Sequence, residues 1–276
     1  MKAGVYVYGI ASAAAGSMDV IWGNFDASHQ PIQAFGDHIP GQEILAYITA
    51  VWMVVGGAAI LWRRSARVGG AMLAVIYFVF AVFWLPRFYT APHYLGVRVP
   101  VYIGVLAGAG TQLIAFAAGA LIYVSPGTRS SSSSSPRSSP QTIFWARWIF
   151  GICSIAFGLA HLTNVKDNAV FVPKWMPLGG EFWTILTGIC FVFAGLAILS
   201  EILDVLAARM LALMLLTFSA LKLVPMIFLF PHRHDVWGGN AYNLAAVGSA
   251  WILAESLTRP RDGLGHDAGA PLAEIS

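Results

Sequence analysis

The sequence predicts an all-α integral membrane protein with eight transmembrane helices, arranged as two parallel four-helix repeats. Three observations predict it. Apolar residues make up 58% of the 276-residue chain and charged residues only 11%, against about 25% charged in soluble domains; the mean hydropathy is +0.70. Eight apolar runs follow one another at 4–23, 43–62, 68–86, 100–124, 143–162, 182–200, 205–224 and 239–257, each close to the roughly 20 residues that cross a bilayer's hydrocarbon. Motifs of the first half also recur in the same order in the second.

The first run follows Lys2 and contains the small residues Ala11-Ser12-Ala13, which gives it the outline of a signal peptide. Because the same pattern recurs internally, it is expected to stay as a first helix. The second and sixth runs open on Glu43 and Glu181, just after prolines and glycines. A carboxylate in the first turn of a helix is explained by capping and the helix dipole. The third and seventh runs end at Pro86 and Pro225, and Pro92 and Pro231 follow in segments expected to lie at the interface. The runs are continuous rather than alternating, which favours helices over barrel strands. Small residues such as Gly56-Gly57 and Gly108-Ala109-Gly110 would let the helices pack closely.

Between the fourth and fifth runs stand Ser125-Pro126-Gly127, the serines from Ser130 to Ser135, and Pro136 to Pro140. This stretch, 125–141, reads as a low-complexity linker with nothing to bury. It separates a first unit, 1–124, from a second, 142–258, followed by a polar tail, 259–276. Gly9-Ile10-Ala11-Ser12 with Gly16 matches Gly151-Ile152-Cys153-Ser154 with Gly158. Glu43 matches Glu181, and Gly57-Ala58-Ala59-Ile60-Leu61 matches Gly195-Leu196-Ala197-Ile198-Leu199. Pro86 and Pro92-His93 match Pro225 and Pro231-His232. Ordered matches of this kind point to internal duplication. Four spans per unit would start both units on the same side of the membrane, making the repeats parallel.

Ten of the sixteen Lys and Arg fall on one predicted face, among them Arg63, Arg64, Arg67, Arg147 and Arg209. The excess makes that face cytoplasmic, with both termini and the serine linker inside. The small net charge of +3 sits beside apolar runs, so membrane lipid is the expected partner and nucleic acid is not. Cys153 and Cys190 lie apart within apolar runs and read as small packing residues, which excludes dithiol chemistry. There is no P-loop, dinucleotide fingerprint or serine nucleophile elbow, and no metal is expected.

Six of the seven histidines, His29, His38, His93, His161, His232 and His234, fall on the outer side. Imidazole at an interface serves as a simple polar contact, a proton or quinone-headgroup contact, or a metal or haem ligand. Asp19 and His161 occupy equivalent places near the outer ends of the first and fifth runs. An ionisable group at such a place is either a functional group or a headgroup-level contact with water. Lys222, whose repeat partner is Phe83, is expected to snorkel to the interface. Trp175 and the neighbouring tryptophans read as an aromatic belt, a surface that would also suit a flat quinone headgroup.

The stretch Gly151-Ile152-Cys153-Ser154-Ile155-Ala156-Phe157-Gly158-Leu159-Ala160-His161-Leu162 resembles the first helix of the DoxX family. Val172-Pro173-Lys174-Trp175-Met176-Pro177 and Phe182-Trp183-Thr184-Ile185-Leu186-Thr187-Gly188 look like the approach to that family's second helix. The likeness covers residues 142–257 well and 4–124 faintly, where Asp19 stands in place of His161 and the proline-tryptophan-proline motif shrinks to His38-Ile39-Pro40. It implies a bacterial inner-membrane protein serving a redox pathway, as a quinone-facing subunit or an accessory to a periplasmic oxidoreductase. Such a reading puts the site on the outer side of the second unit, at His161, Trp175, Glu181, Pro225, His232 and His234, with Asp19, Glu43 and His93 as first-unit counterparts. The competing expectations are a small-solute or lipid carrier working between the two units, and a non-enzymatic membrane scaffold.

Overall fold

The computed structural model describes residues 3–30, 40–125 and 139–258, all helical or irregular with no strand among them; the linker from 126 to 138 and the tail from 259 lie outside the described residues. The helices are α1 (Ala3–Trp22), α2 (Gln42–Leu61), α3 (Ala66–Phe83), the short α4 (Arg87–Leu95), α5 (Val99–Val124), α6 (Pro140–Thr163) and the short α7 (Val165–Ala169). They continue with α8 (Gly179–Ser200), α9 (Asp204–Phe218), a π-turn (Ser219–Leu223), α10 (Val224–Leu229) and α11 (His234–Leu257). The α9, π-turn and α10 segments form one continuous rod, so the seventh run does not end at Pro225 as expected but continues to Leu229, the π-turn accommodating the proline.

Seven of these rods are long and apolar enough to cross a membrane. The eighth long helix, α11, misses on hydropathy rather than on length. Its 24 residues extend about 36 Å at 1.5 Å per residue, but Asn240, Asn243, Ser249 and Ser256 dilute its apolar character. Those residues do not face outward. Asn240, Ser249 and Ser256 are buried with most of the helix, whereas the seven more apolar rods expose large side chains such as Ile48 at 60% and Phe193 at 66%. Apolar residues on the outside and polar ones within is the distribution that lipid selects.

The long helices pack as a closed ring: α1 on α2, α2 on α3, α3 on α5, α5 on α6, α6 on α8, α8 on α9, α9 on α11, and α11 back on α1. Across the ring α5 also touches α11, dividing it into two lobes. Glycine sets the closest approaches. A Cβ on Gly57 would stand 2.6 Å from the carbonyl of Gly9, and one on Gly195 would stand 2.5 Å from the carbonyl of Gly151. Two turns away, Gly16 meets Ala50 and Gly158 meets Gly188. The order of these contacts makes α1 and α2 antiparallel, and α6 and α8 likewise. Gly248 lies against Tyr8 and Gly119 against Gly70, so α11 and α5 run antiparallel to α1 and α3. All the histidines among the described residues therefore gather at one end of the bundle. At the other end Arg147, almost fully buried, pairs with Glu201 and with Asp204 (2.8 Å), pinning the connection between α8 and α9.

Gly57→Leu and Gly195→Leu should each destabilise the bundle by about 1–3 kcal/mol, the usual cost of overpacking. A Cβ on Gly104 would meet nothing within 4 Å, so Gly104→Leu should leave stability unchanged. Thermal unfolding in detergent reads the difference; equal effects at all three positions would refute the close-approach account.

Candidate functional site

The two lobes differ inside. The lobe built from α1, α2, α3 and α5 is filled by Tyr8, Met53, Leu73, Tyr77 and Phe80, each 0% exposed. The lobe built from α6, α8, α9 and α11 encloses a cavity of about 700 Å³. Phe150, Phe157, Phe191, Phe218 and Met214 supply much of its wall, and exposed side chains of α8 and α9, among them Leu186, Met210 and Leu213, line its flank.

The polar groups of the cavity come from particular local structures. Pro225 lacks an N–H, and its ring clashes with the carbonyl four residues earlier, so the rod widens into the π-turn Ser219–Leu223 just before it. Such turns free backbone carbonyls and often mark functional positions. Helix α11 supplies the missing donors: Asn240 Nδ2 donates to the Leu223 carbonyl at 2.8 Å, and Asn243 Nδ2 donates to the Leu215 carbonyl at 2.8 Å and the Ser219 hydroxyl at 2.7 Å. Lys222 lies within the π-turn, and its Nζ sits 3.7 Å above the Phe171 ring. It has no carboxylate partner among the described residues.

His161 reaches the same cavity from the last turn of α6. Its Nδ1 is 2.9 Å from the Phe157 carbonyl. A carbonyl only accepts, so Nδ1 carries the hydrogen and Nε2 keeps a lone pair. Phe191 and Phe218 flank the ring, at 5.3 Å and 6.4 Å between centroids. The hydroxyl of Thr187 is spent on helix carbonyls, as are the Asn168 amide and the Thr217 hydroxyl. Lys222 and His161 are thus the groups best placed to meet a polar head within an apolar chamber.

A second polar assembly lies at the same end, between α1 and α11. After Trp22 the chain reverses through Gly23, whose φ of 64° favours glycine, and forms a turn in which Asp26 accepts from the Ser28 amide and hydroxyl. The reversal brings His29 back to Asp19, with Nδ1 and Oδ2 3.2 Å apart. The Asp26 amide donates to Asp19 Oδ1 at 2.8 Å, and His234 Nε2 lies 3.1 Å from the same oxygen. Asp19 is 0% exposed and His29 1%. His29 stacks on Phe80 at 4.4 Å, and Trp22 covers His234 at 5.0 Å with the rings 3° from parallel.

The segment 27–30 is held from outside by Arg87, Trp84 and Gln112. Arg87 donates to the carbonyls of Ala27 and Gln30, while Trp84 Nε1 and Gln112 Nε2 donate to that of Ser28. Burial opposes a charge on His29, but the hydrogen bond and charge of Asp19 outweigh it, with Asp26 adding and Arg87 subtracting. The imidazole is raised above its ordinary value as a result. Burial lowers the Arg87 guanidinium to about 10, against the pull of Tyr242 and Asp26. Among the described residues, no group of three or more His, Cys, Asp or Glu side chains is placed to hold a metal ion.

The residues singled out in the sequence thus separate. His161 lines the cavity, and Pro225 shapes its wall without lining it. His234 joins Asp19 between the adjacent helices α11 and α1. Trp175, Glu181, His232, Glu43 and His93 are exposed and make no part of either assembly. Sequence reasoning missed His29 as the partner of Asp19, and Arg87 as the clamp on its loop. The available signal was the turn pair Gly23-Asn24, which returns the chain toward an acid that had no partner within its own helix. No family model, no curated protein and no solved structure matches the chain.

The raised value of His29 carries a pH dependence. The folded protein holds the His29 proton more tightly than the unfolded chain does. The contribution is therefore fully present below about pH 6.5 and is lost as pH rises through the folded value. Thermal unfolding between about pH 5 and about pH 9 should show that loss, and His29→Gln should remove it. An unchanged slope in the variant would contradict the pairing.

Proposed function

We propose that this chain is a DoxX-like, quinone-facing protein of a bacterial inner-membrane redox system, binding the quinone in the cavity beside His161 and Lys222. The observation that carries the reading is the cavity itself: about 700 Å³, within the range that holds small ligands, apolar along its length and polar at one end. Lys222 Nζ donates to a quinone carbonyl, and the Nε2 lone pair of His161 accepts from a quinol hydroxyl. The aromatic walls receive the ring, and the flank of α8 and α9 receives the isoprenoid tail from lipid.

In this reading all eight long helices span the bilayer as two parallel four-helix units. What supports the duplication is that the matched glycines make matched contacts, Gly9 with Gly57 and Gly151 with Gly195. The last helix of each unit also packs on the first helix of the other, α5 on α6 and α11 on α1. The two units then differ where function would require it. At the same repeat spacing that pairs Phe83 with Lys222, the buried Phe80 pairs with Ser219, which opens space and admits a cation. The end that carries Arg63, Arg64, Arg67 and Arg209 faces the cytoplasm, leaving the cavity's polar end on the periplasmic side, within reach of a redox partner.

The apolar flank would also admit an acyl chain, which is the specific observation favouring a lipid carrier instead. Solvent extraction of the purified protein separates the two. Recovered quinone supports the proposal, and recovered phospholipid alone supports the carrier. His161→Ala and Lys222→Met should each weaken a short-chain quinone, followed by tryptophan fluorescence, about tenfold or more, as expected for loss of a hydrogen bond to a charged or basic group. Unaltered affinity in both variants would overturn the site.

A further inference from the structure

Asp19 is fully enclosed, and two imidazoles approach it from different parts of the chain, one on each carboxylate oxygen. We infer that Asp19, His29 and His234 form a proton-binding relay that takes up a proton through His234 and passes it by way of Asp19 to His29 in the bundle interior. The inference is independent of what occupies the cavity.

Geometry gives the relay a direction. The His234 side chain is 14% exposed and that of His29 only 2%, so His234 is the water-facing end. His29 turns Nδ1 toward the carboxylate, and its buried Nε2 has no hydrogen-bond partner among the described residues; His234 Nε2 stands 3.1 Å from Asp19 Oδ1 but out of line for a hydrogen bond, so a small turn of that ring completes the entry step. The Tyr242 ring lies 6.2 Å from the His29 ring. Tyr242, Thr111 and Phe157 line both the large cavity and a smaller one of about 330 Å³ beside Arg87. The inner end of the relay therefore adjoins the wall shared by both chambers.

Charge balance fixes the occupancy at one proton. A buried carboxylate between two neutral imidazoles is an unneutralised charge, which is costly away from water. One added proton makes the trio neutral, and a second would leave it positive. The other groups facing it are Asp26 from the loop, Tyr77 from α3, Arg87 from α4 and Tyr242 from α11. Of these, Asp26 and Arg87 offset each other, leaving the trio to set its own state. In transfer, a proton on His234 Nε2 passes to Asp19 and from Asp19 to His29 Nδ1. Each N–H or O–H bond that breaks is matched by one that forms, the proton rests on the His29 imidazolium beside the Asp19 carboxylate, and no electron changes hands.

The test is ¹⁵N spectroscopy of histidine-labelled full-length protein in nanodiscs, between about pH 5 and about pH 9, with His29 assigned through His29→Gln. The unaltered protein should show the His29 imidazole taking up a proton across this range, and Asp19→Asn should abolish that uptake. His234→Gln should slow solvent exchange at His29 by about a hundredfold, while His29→Gln leaves exchange at His234 unchanged. A His29 ring that stays neutral in one tautomer throughout, or whose exchange ignores His234→Gln, overturns the relay. Should a variant fail to fold, the titration of the unaltered protein decides.

Discussion

In hydrocarbon the helices gain nothing by hiding apolar surface from one another, so the bundle depends on how closely backbones can approach. Glycine provides that approach at Gly9 and Gly57, at Gly151 and Gly195, and where Gly248 meets Tyr8. The last contact has the widest consequences. It seats α11 against α1, closes the ring, and carries His234 to Asp19. Without it, a carboxylate with no exposure to water would lack one of its two imidazoles.

The same helix reaches the other lobe. Asn240 and Asn243 satisfy carbonyls of the rod that Pro225 forces into a π-turn, and that turn carries Lys222. Thus α11, the least apolar of the long helices, is where polarity is useful. One of its faces supports the ionisable trio and another supports the rim of the cavity. The contrast between the filled lobe and the hollow one follows from side-chain volume. Tyr77 and Phe80 occupy the centre of the first, while the π-turn, with Ser219 at its start, stands beside the space in the second.

The helices were legible because each is written as an apolar run, and Pro86 places the end of α3 within a few residues; side-chain caps do not mark the ends, since neither α2 nor α8 has a side-chain cap hydrogen bond beside Glu43 or Glu181. Seven rods are apolar enough to span on composition alone; α11 is not, because its buried face is made of Gly, Ala, Ser and Asn. His161 was legible as an ionisable residue inside a run. The grouping of His161 with His232 and His234 was not correct in space. His234 turns to the first lobe, and His232 stays at the surface, because two residues along a chain entering α11 are enough to change sides. His29 could not be recognised from periodicity, since it stands in a loop whose path is set by Gly23 and Asp26 and by donors from Arg87, Trp84 and Gln112.

The docking of α11 on α1 is tested most directly by cross-linking. A Cβ at Gly4 would stand 3.0 Å from that of Trp251, close to the roughly 3.5–4.5 Å of a disulfide. Gly4→Cys with Trp251→Cys, oxidised in native membranes with Cys153 and Cys190 replaced by Ala, should give an intramolecular bridge and a faster-migrating monomer. Two free thiols after oxidation, or bridging only between separate chains, would contradict the closed ring.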